Sequence, residues 1–377
     1  MPRAPASMRE EEGLRVALVV GTLGLGGAEK QLVYMAGALL RAGIDTRIYA
    51  LTRGEYHEPE LRALGVIPVW IGRHASPLYR AAALAAALRG FRPHVLQATH
   101  FYANLYATLV APLFGAIGIG SIRSDVHHEL ETSGAWGRWL LRAPRVLLAN
   151  SHAARRNAAA YGVDETRIHV VPNVIDLPAF DRDAGDVARE GDRGGPVTAI
   201  AVGRLVKPKR FERFLMALAL ARKEMSTLRG VVVGDGPERP RLERLAGELG
   251  LGSHGAAFLG RRDDVPALLR SADMLLLVSD REGFPNVILE GMAASLPVIT
   301  TPAGDAALIV KDSVTGYHVP FDDTHAMASR MLQLARSRGL RECLGRAGRR
   351  EAAEQYAAPG LADRLLACYG TSAERSG

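Results

Sequence analysis

From Leu14 onward, short apolar runs alternate with longer runs of helical spacing, and this alternation constrains the fold more than any other feature of the chain. Short runs that are apolar on both faces belong to strands covered on both sides, as in parallel sheets flanked by helices. The predicted strands of the first half are Leu14–Val20, Thr46–Leu51, Pro68–Ile71, Val95–Ala98, Ile117–Ile122, Val146–Ala149 and Ile168–Val171, with helical periodicity over Ala28–Arg41 and Ser76–Arg89. The rhythm stops at Asp181–Gly195, a polar, glycine-bearing stretch without an apolar face, which reads as a linker. It resumes with strands at Thr198–Val202, Gly230–Val233, Ala256–Leu259, Met274–Val278, Pro297–Thr300 and Gly316–Val319. Helices are expected between them at Phe211–Arg222, Arg239–Glu248, Val265–Arg270 and Val287–Ala294.

The 377 residues suffice for two such α/β cores. The expected division is an N-terminal Rossmann-like domain over 14–180, the linker 181–195 and a C-terminal Rossmann-like domain over 196–355. A final helix and tail over 356–377 is expected to pack back on the first domain. Open parallel sheets bind ligands at the carboxyl ends of their strands, so a cleft between the two sheets is the expected active site.

Leu105–Ile122 runs for 18 residues without a charge, about the shortest length that spans a bilayer. Pro112, Gly115, Gly118 and Gly120 interrupt it, so it reads as a buried helix, a turn at Phe114–Ala116 and a strand. Met1–Gly13 has acidic Glu10–Glu12 and no apolar core, unlike a signal peptide, and a cytoplasmic location is expected. Cys343 and Cys368 form no CxxC pair, so neither a zinc site nor a disulfide framework is indicated. Of the 47 basic residues behind the net charge of +7, only Lys30, Lys207, Lys209, Lys223 and Lys311 are lysine. The excess suits acidic partners, and equally a solvated surface in an arginine-rich chain.

Three segments carry chemistry. Gly21–Glu29 is a glycine-rich turn opening into a helix, whose free N–H groups favour an anion. It lacks both the GxGxxG dinucleotide pattern and the GK[ST] ending of a P-loop, which counts against dinucleotide and nucleoside-triphosphate chemistry. Gly203-Arg204-Leu205-Val206-Lys207-Pro208-Lys209 follows a strand, and Arg204 and Lys209 are placed to converge on one diphosphate leaving group. Ser279–Glu290 follows another strand, with Glu282 in its loop and Glu290 about one turn into the next helix. Two carboxylates so spaced can hold hydroxyls on two parts of one ligand.

These segments, with VVPNVID at Val170–Asp176, VVVGDGPER at Val231–Arg239, PVITTPAG at Pro297–Gly304 and DSVTGYHVP at Asp312–Pro320, resemble the family-4 retaining glycosyltransferases over nearly the whole chain. The resemblance implies a GT-B fold, two Rossmann-like domains with parallel sheets facing a cleft. It further implies that Arg204 and Lys209 bind the donor diphosphate, Glu290 the ribose and Glu282 the transferred sugar. Gly203 and the backbone of Gly283, Phe284 and Pro285 would lie beside the phosphates and the sugar. Gly234 and Arg261 would line the nucleobase end, and Gly26 and Gly27 would approach the diphosphate. In Ser121–Asp125, where many relatives place a catalytic His or Asp, Asp125 is the best candidate, with His127 and His128 behind it. The chain departs from the family at Arg123-Ser124-Asp125, at Arg210 and Ser295 where glycine is usual, and at Asp305 and Leu308.

The expected reaction is metal-independent transfer of a hexose or N-acetylhexosamine without a cofactor, from a UDP-sugar in preference to a GDP-sugar. The expected acceptor is a glycan, glycolipid or polyprenyl-linked intermediate, with no role for nucleic acid. A nucleotide-sugar epimerase, a phosphorylase-like enzyme and a non-catalytic nucleotide-sugar-binding protein are the rivals. Asp263-Asp264 reads as a helix cap and not a metal motif. Trp136-Gly137-Arg138-Trp139-Leu140-Leu141-Arg142 has two readings, one turn of core helix or an interfacial helix at the inner membrane.

Overall fold

The computed structural model describes residues 13–374 apart from 188, 190, 192 and 193. The chain forms two compact units, Met1–Val174 with Ala358–Gly377, and Ile175–Ala357. In the first, a seven-stranded sheet has the order β3-β2-β1-β4-β5-β6-β7. Its strands are β1 (Arg15–Val20), β2 (Asp45–Ala50), β3 (Val69–Trp70), β4 (Val95–Ala98), β5 (Ile117–Ile122), β6 (Val146–Ala149) and β7 (Ile168–Val170). In the second, a six-stranded sheet has the order β10-β9-β8-β11-β12-β13. These strands are β8 (Thr198–Val202), β9 (Arg229–Val233), β10 (Ala256–Phe258), β11 (Met274–Leu277), β12 (Val298–Thr300) and β13 (Gly316–His318). Every neighbouring pair is parallel.

Each predicted strand is present with its ends shifted by a residue or so. Within Leu105–Ile122 the chain forms a helix at Asn104–Val110, a short 3-10 turn at Ala111–Phe114 and β5, and Gly115 makes the corner at a φ of 64°. The fold is thus the expected pair of doubly wound parallel-sheet α/β units. Among the described residues no helix is long and apolar enough to cross a membrane.

The division comes before the polar stretch that reads as a linker. Asp176 Oδ1 accepts from Ala179 N and caps the helix Leu177–Ala184, which buries Phe180 and Ala184 in the core of the second unit. Asp181 then pairs with Arg270 and Arg349, both at 2.5 Å. The sequence suggests a linker there because the apolar contacts of this helix are few and its polar face is matched by distant arginines. At the other end the last helix, Leu361–Glu374, lies against the helix Gly27–Arg41 and buries Leu361, Leu365 and Tyr369 in the first core. Tyr356, by contrast, packs edge-on against Phe284 in the second unit, their rings 5.7 Å apart.

Candidate functional site

In each sheet the strand order reverses at one place, between β1 and β4 and between β8 and β11. Crossovers leave such a switch point toward opposite faces, opening a crevice above the strand ends that the two loops line.

In the second unit those loops are the basic turn after β8 and the acidic loop after β11. Lys209 Nζ lies 2.6 Å from Glu282 Oε1, and Ser279 Oγ donates to the same oxygen at 2.7 Å. The ion pair joins residues far apart in sequence because β8 and β11 are neighbours. Asp280 N donates to Pro208 O, tying the two loops by their backbones. Arg204 is exposed beside them. Buried Arg213 braces the arrangement, with one nitrogen at 2.6 Å from Asp280 and 2.7 Å from Asp322, and another donating to Val278 O.

The glycines of this region serve close approach. Gly234, at a φ of 131°, passes so near Gly203 that a Cβ would meet the Gly203 carbonyl oxygen at 1.9 Å. A Cβ on Gly304 would meet the carbonyls of Glu282 and Gly283 at 2.4 and 2.5 Å. Asp305, where a second glycine is usual, has an ordinary φ of −94°, so no glycine is required there. Gly283 and Pro285 are buried, and the Phe284 ring lies in the core, leaving only its backbone to a ligand. Pro285 is the N-cap of the helix Asn286–Ala293, and Glu290 is half-buried in its second turn. Arg261 is exposed in the loop after β10. Asp264 stands at a helix start without capping it; both its oxygens bind Arg262, at 2.7 and 2.6 Å.

The switch point of the first unit holds a second pair. Gly26 is the N-cap of Gly27–Arg41, and Glu29 in its first turn lies 3.2 Å from His100 Nε2, just beyond β4. Gly21 N donates to His100 Nδ1, which sets a ring with its proton on Nε2. Burial would raise the Glu29 carboxyl, but the hydrogen bond from His100 lowers it, and Glu29 is held below its ordinary value. A Cβ on Gly26 would meet Glu29 Oε2 at 2.2 Å, so this glycine accommodates the carboxylate. A negative charge thus already occupies the helix start where Gly26 and exposed Gly27 are expected to meet a diphosphate. Asp125 caps the helix Val126–Ser133, accepting from His127 N at 3.4 Å, and His127 Nδ1 lies 2.7 Å from the Tyr161 hydroxyl. His128 is exposed. His100 escapes a motif search, yet its position right after a strand on the sequence was a readable signal.

The helix Ala135–Arg142 turns Trp136 and Trp139 outward. Leu140 and Leu141 are buried, while Trp136 is 69% and Trp139 38% exposed, so the tryptophans are not a turn of core helix. Arg138 points outward and lines an open cavity of about 550 Å³ with His127, Glu131 and Tyr161. Arg142 is held to the Tyr161 carbonyl through Nε at 3.0 Å and Nη2 at 2.6 Å.

Two family profiles match this chain, "Glycosyltransferase Family 4" over residues 25–178 and "Glycosyl transferases group 1" over residues 196–337. It is 29% identical over 228 residues to the N-acetyl-alpha-D-glucosaminyl L-malate synthase of Bacillus anthracis, 60% of this chain and 58% of that one. The match therefore spans little more than half of that relative's length. It is 28% identical to a GDP-mannose-dependent alpha-(1-6)-phosphatidylinositol monomannoside mannosyltransferase of Mycobacterium tuberculosis, over 72% of this chain and 75% of that one. Among solved structures, Anabaena HepE in complex with UDP superposes with a TM-score of 0.81 at 18% identity, covering 95% of this chain and all of that one.

Proposed function

Since the chain belongs to the family-4, group 1 glycosyltransferases and has their GT-B fold, we propose that it moves a hexose or N-acetylhexosamine from a nucleotide sugar to a glycan, glycolipid or polyprenyl-linked acceptor with retention of configuration. The observation that carries this reading is the Lys209–Glu282 pair beside Arg204 at the β8/β11 switch point. An incoming diphosphate draws Lys209 off Glu282 and meets Arg204, so two cations face the oxygens that gain charge as the bond to the sugar breaks. The carboxylate released from Lys209 then accepts hydroxyl hydrogens of the sugar, and Glu290 accepts those of the ribose. The acceptor oxygen attacks the face that the diphosphate leaves. Two cations offset the leaving group's charge, so no metal ion or cofactor is called for. A UDP-sugar is the first donor to test and GDP-mannose the second, in keeping with the UDP bound to HepE and the donor named for the mycobacterial relative.

In this reading the protein works in the cytoplasm, with Trp136 and Trp139 resting on the inner membrane where a lipid-linked acceptor would be met. The test is turnover with a panel of nucleotide sugars and a crude acceptor extract. Arg204→Ala and Lys209→Ala should each leave a folded protein and lower transfer about 100-fold or more, as for a lost transition-state contact. Near-normal turnover in both variants would remove the assignment, and nucleotide binding without any transfer would leave a binding protein.

A further inference from the structure

The strand ends of the first unit hold a cation that no carboxylate among the described residues is shown to pair with. Arg123 follows β5; its Nη2 donates to Asn173 Oδ1 at 2.9 Å, and its carbonyl accepts from Asn150 Nδ2 at 3.0 Å. Its Nε is shielded from solvent and has no acceptor among the described residues. The composition of the surrounding segments explains why. From Ala63 through Ser124 there is no Asp or Glu, and none follows in 143–163 or 168–175, so the nearest carboxylate to Arg123 along the chain is Asp125, three residues past β5. Burial draws the guanidinium down to about 10, with the charge of Glu29 opposing, and Glu29 itself is bonded to His100. Asp125 is occupied as a helix cap and Glu129 with Ser124.

Two further buried atoms near Arg123 have no partner among the described residues, Ser121 Oγ on β5 and Asn150 Oδ1 just past β6. Register puts Ser121 and Arg123 on one face of the sheet, and Asn150 beside Arg123. A half-buried cation without a counter-ion weakens a fold, and buried polar atoms without partners add to that cost. An anion bound to the guanidinium offsets that cost. Arg123 keeps part of its surface in solvent, so a ligand can reach it.

We propose that Arg123 is an anion-recognition residue of the first unit, and that the acceptor carries a phosphate or carboxylate group for it to bind. The guanidinium fork fits either group in two parallel hydrogen bonds. Asn150 Oδ1 and Ser121 Oγ are enclosed, so the part of the site open to a ligand is the guanidinium, and an acidic sugar or a sugar phosphate brings the anion for it. Only the word acceptor rests on the glycosyl-transfer reading; anion binding by Arg123 is measured without turnover and stands or falls separately.

The experiment follows thermal unfolding of the full chain with inorganic phosphate and, in parallel, with glucuronate. It is done in the Lys209→Ala background, so that the proposed donor site does not answer for the phosphate. One of the two probes should raise the unfolding midpoint, and which one names the anion. Arg123→Met should weaken that response at least 10-fold, and Arg123→Lys should restore part of it. Without ligand, Arg123→Met should melt higher by about 2–4 °C, because a half-buried charge without a counter-ion is gone. In the otherwise native chain its affinity for UDP should be unchanged. The proposal is overturned if neither probe acts, if Arg123→Met responds like its parent, or if that variant melts lower without ligand, as a merely structural arginine would make it. Loss of UDP affinity by the same factor would also overturn it and assign Arg123 to the donor.

Discussion

Two residues occupy left-handed backbone that the family commonly gives to glycine, Arg210 at a φ of 51° and Ser295 at 56°. Ser295 follows the helix Asn286–Ala293 as its terminating residue. Its N–H donates to Met292 O, and that of Leu296 to Gly291 O, the paired bonds of a helix end that turns left-handed. A side chain in this conformation costs about 1–2 kcal/mol, part of which glycine would return to the unfolded chain. Ser295→Gly should therefore stabilise the protein by roughly 0.5–1 kcal/mol, read as a higher midpoint in denaturant; a lower midpoint would show that the serine side chain is needed. Arg210 differs, because its guanidinium pairs with Glu212 at 3.0 Å and Asp322 at 3.1 Å, contacts that glycine would forfeit. Here the sequence is informative in an unexpected way. All three departures from the family are visible as letters, but only backbone angles tell that Arg210 and Ser295 carry strain and Asp305 carries none.

Among elements, the strands were legible because aliphatic residues buried on both faces leave no other reading. The partners across each switch point were not. Glu29 and His100, or Lys209 and Glu282, meet only once the strand order places β1 beside β4 and β8 beside β11. Order in a sheet depends on how crossovers pack, which no local run of residues encodes. The helix Arg338–Gln355 is similarly veiled. Its inward face is Arg341, Leu344, Gly345, Gly348 and Ala352, the last three small enough to permit close approach, and a Cβ on Gly345 would lie 2.0 Å from Ser295 O. The helix Ala135–Arg142 belongs to the same scale, since exposure of two tryptophans on one turn is a property of the element. If that face meets anionic lipid, Trp136→Ala with Arg138→Glu should abolish co-sedimentation with anionic liposomes at low salt while leaving UDP binding intact. Equal sedimentation of variant and parent would leave a soluble acceptor as the better choice. Arg142 is unsuitable for this substitution, because it anchors Tyr161 O.

For the whole molecule, the two units depend differently on continuity of the chain. The second is one stretch, Ile175–Ala357, whereas the first is completed by Ala358–Gly377. Leu365 and Tyr369 are almost fully buried against the first sheet, and the Tyr369 hydroxyl donates to Gln97 Oε1 at 2.6 Å. Each such side chain contributes about 1.5–3 kcal/mol, so losing the helix removes much of a typical stability of about 5–15 kcal/mol. A chain ending at Ala357 should lose hydrogen-exchange protection in β1, β4 and β5 and keep it in β8, β11 and β12. Undiminished protection in β1 and β4 would show that the last helix is dispensable.

That interrupted path also orders events on the ribosome. Domains ordinarily mature in the order of their synthesis, yet here the later-made unit has all of its residues first. At about 5–20 residues per second, the sheet of the first unit waits roughly 10–40 s for the helix that covers it. During that interval the apolar surface destined for Leu365 and Tyr369 is open to chaperones and to other nascent chains. Slowed elongation through Ile175–Ala357 thus lengthens the exposure of a surface that lies wholly outside the segment being made.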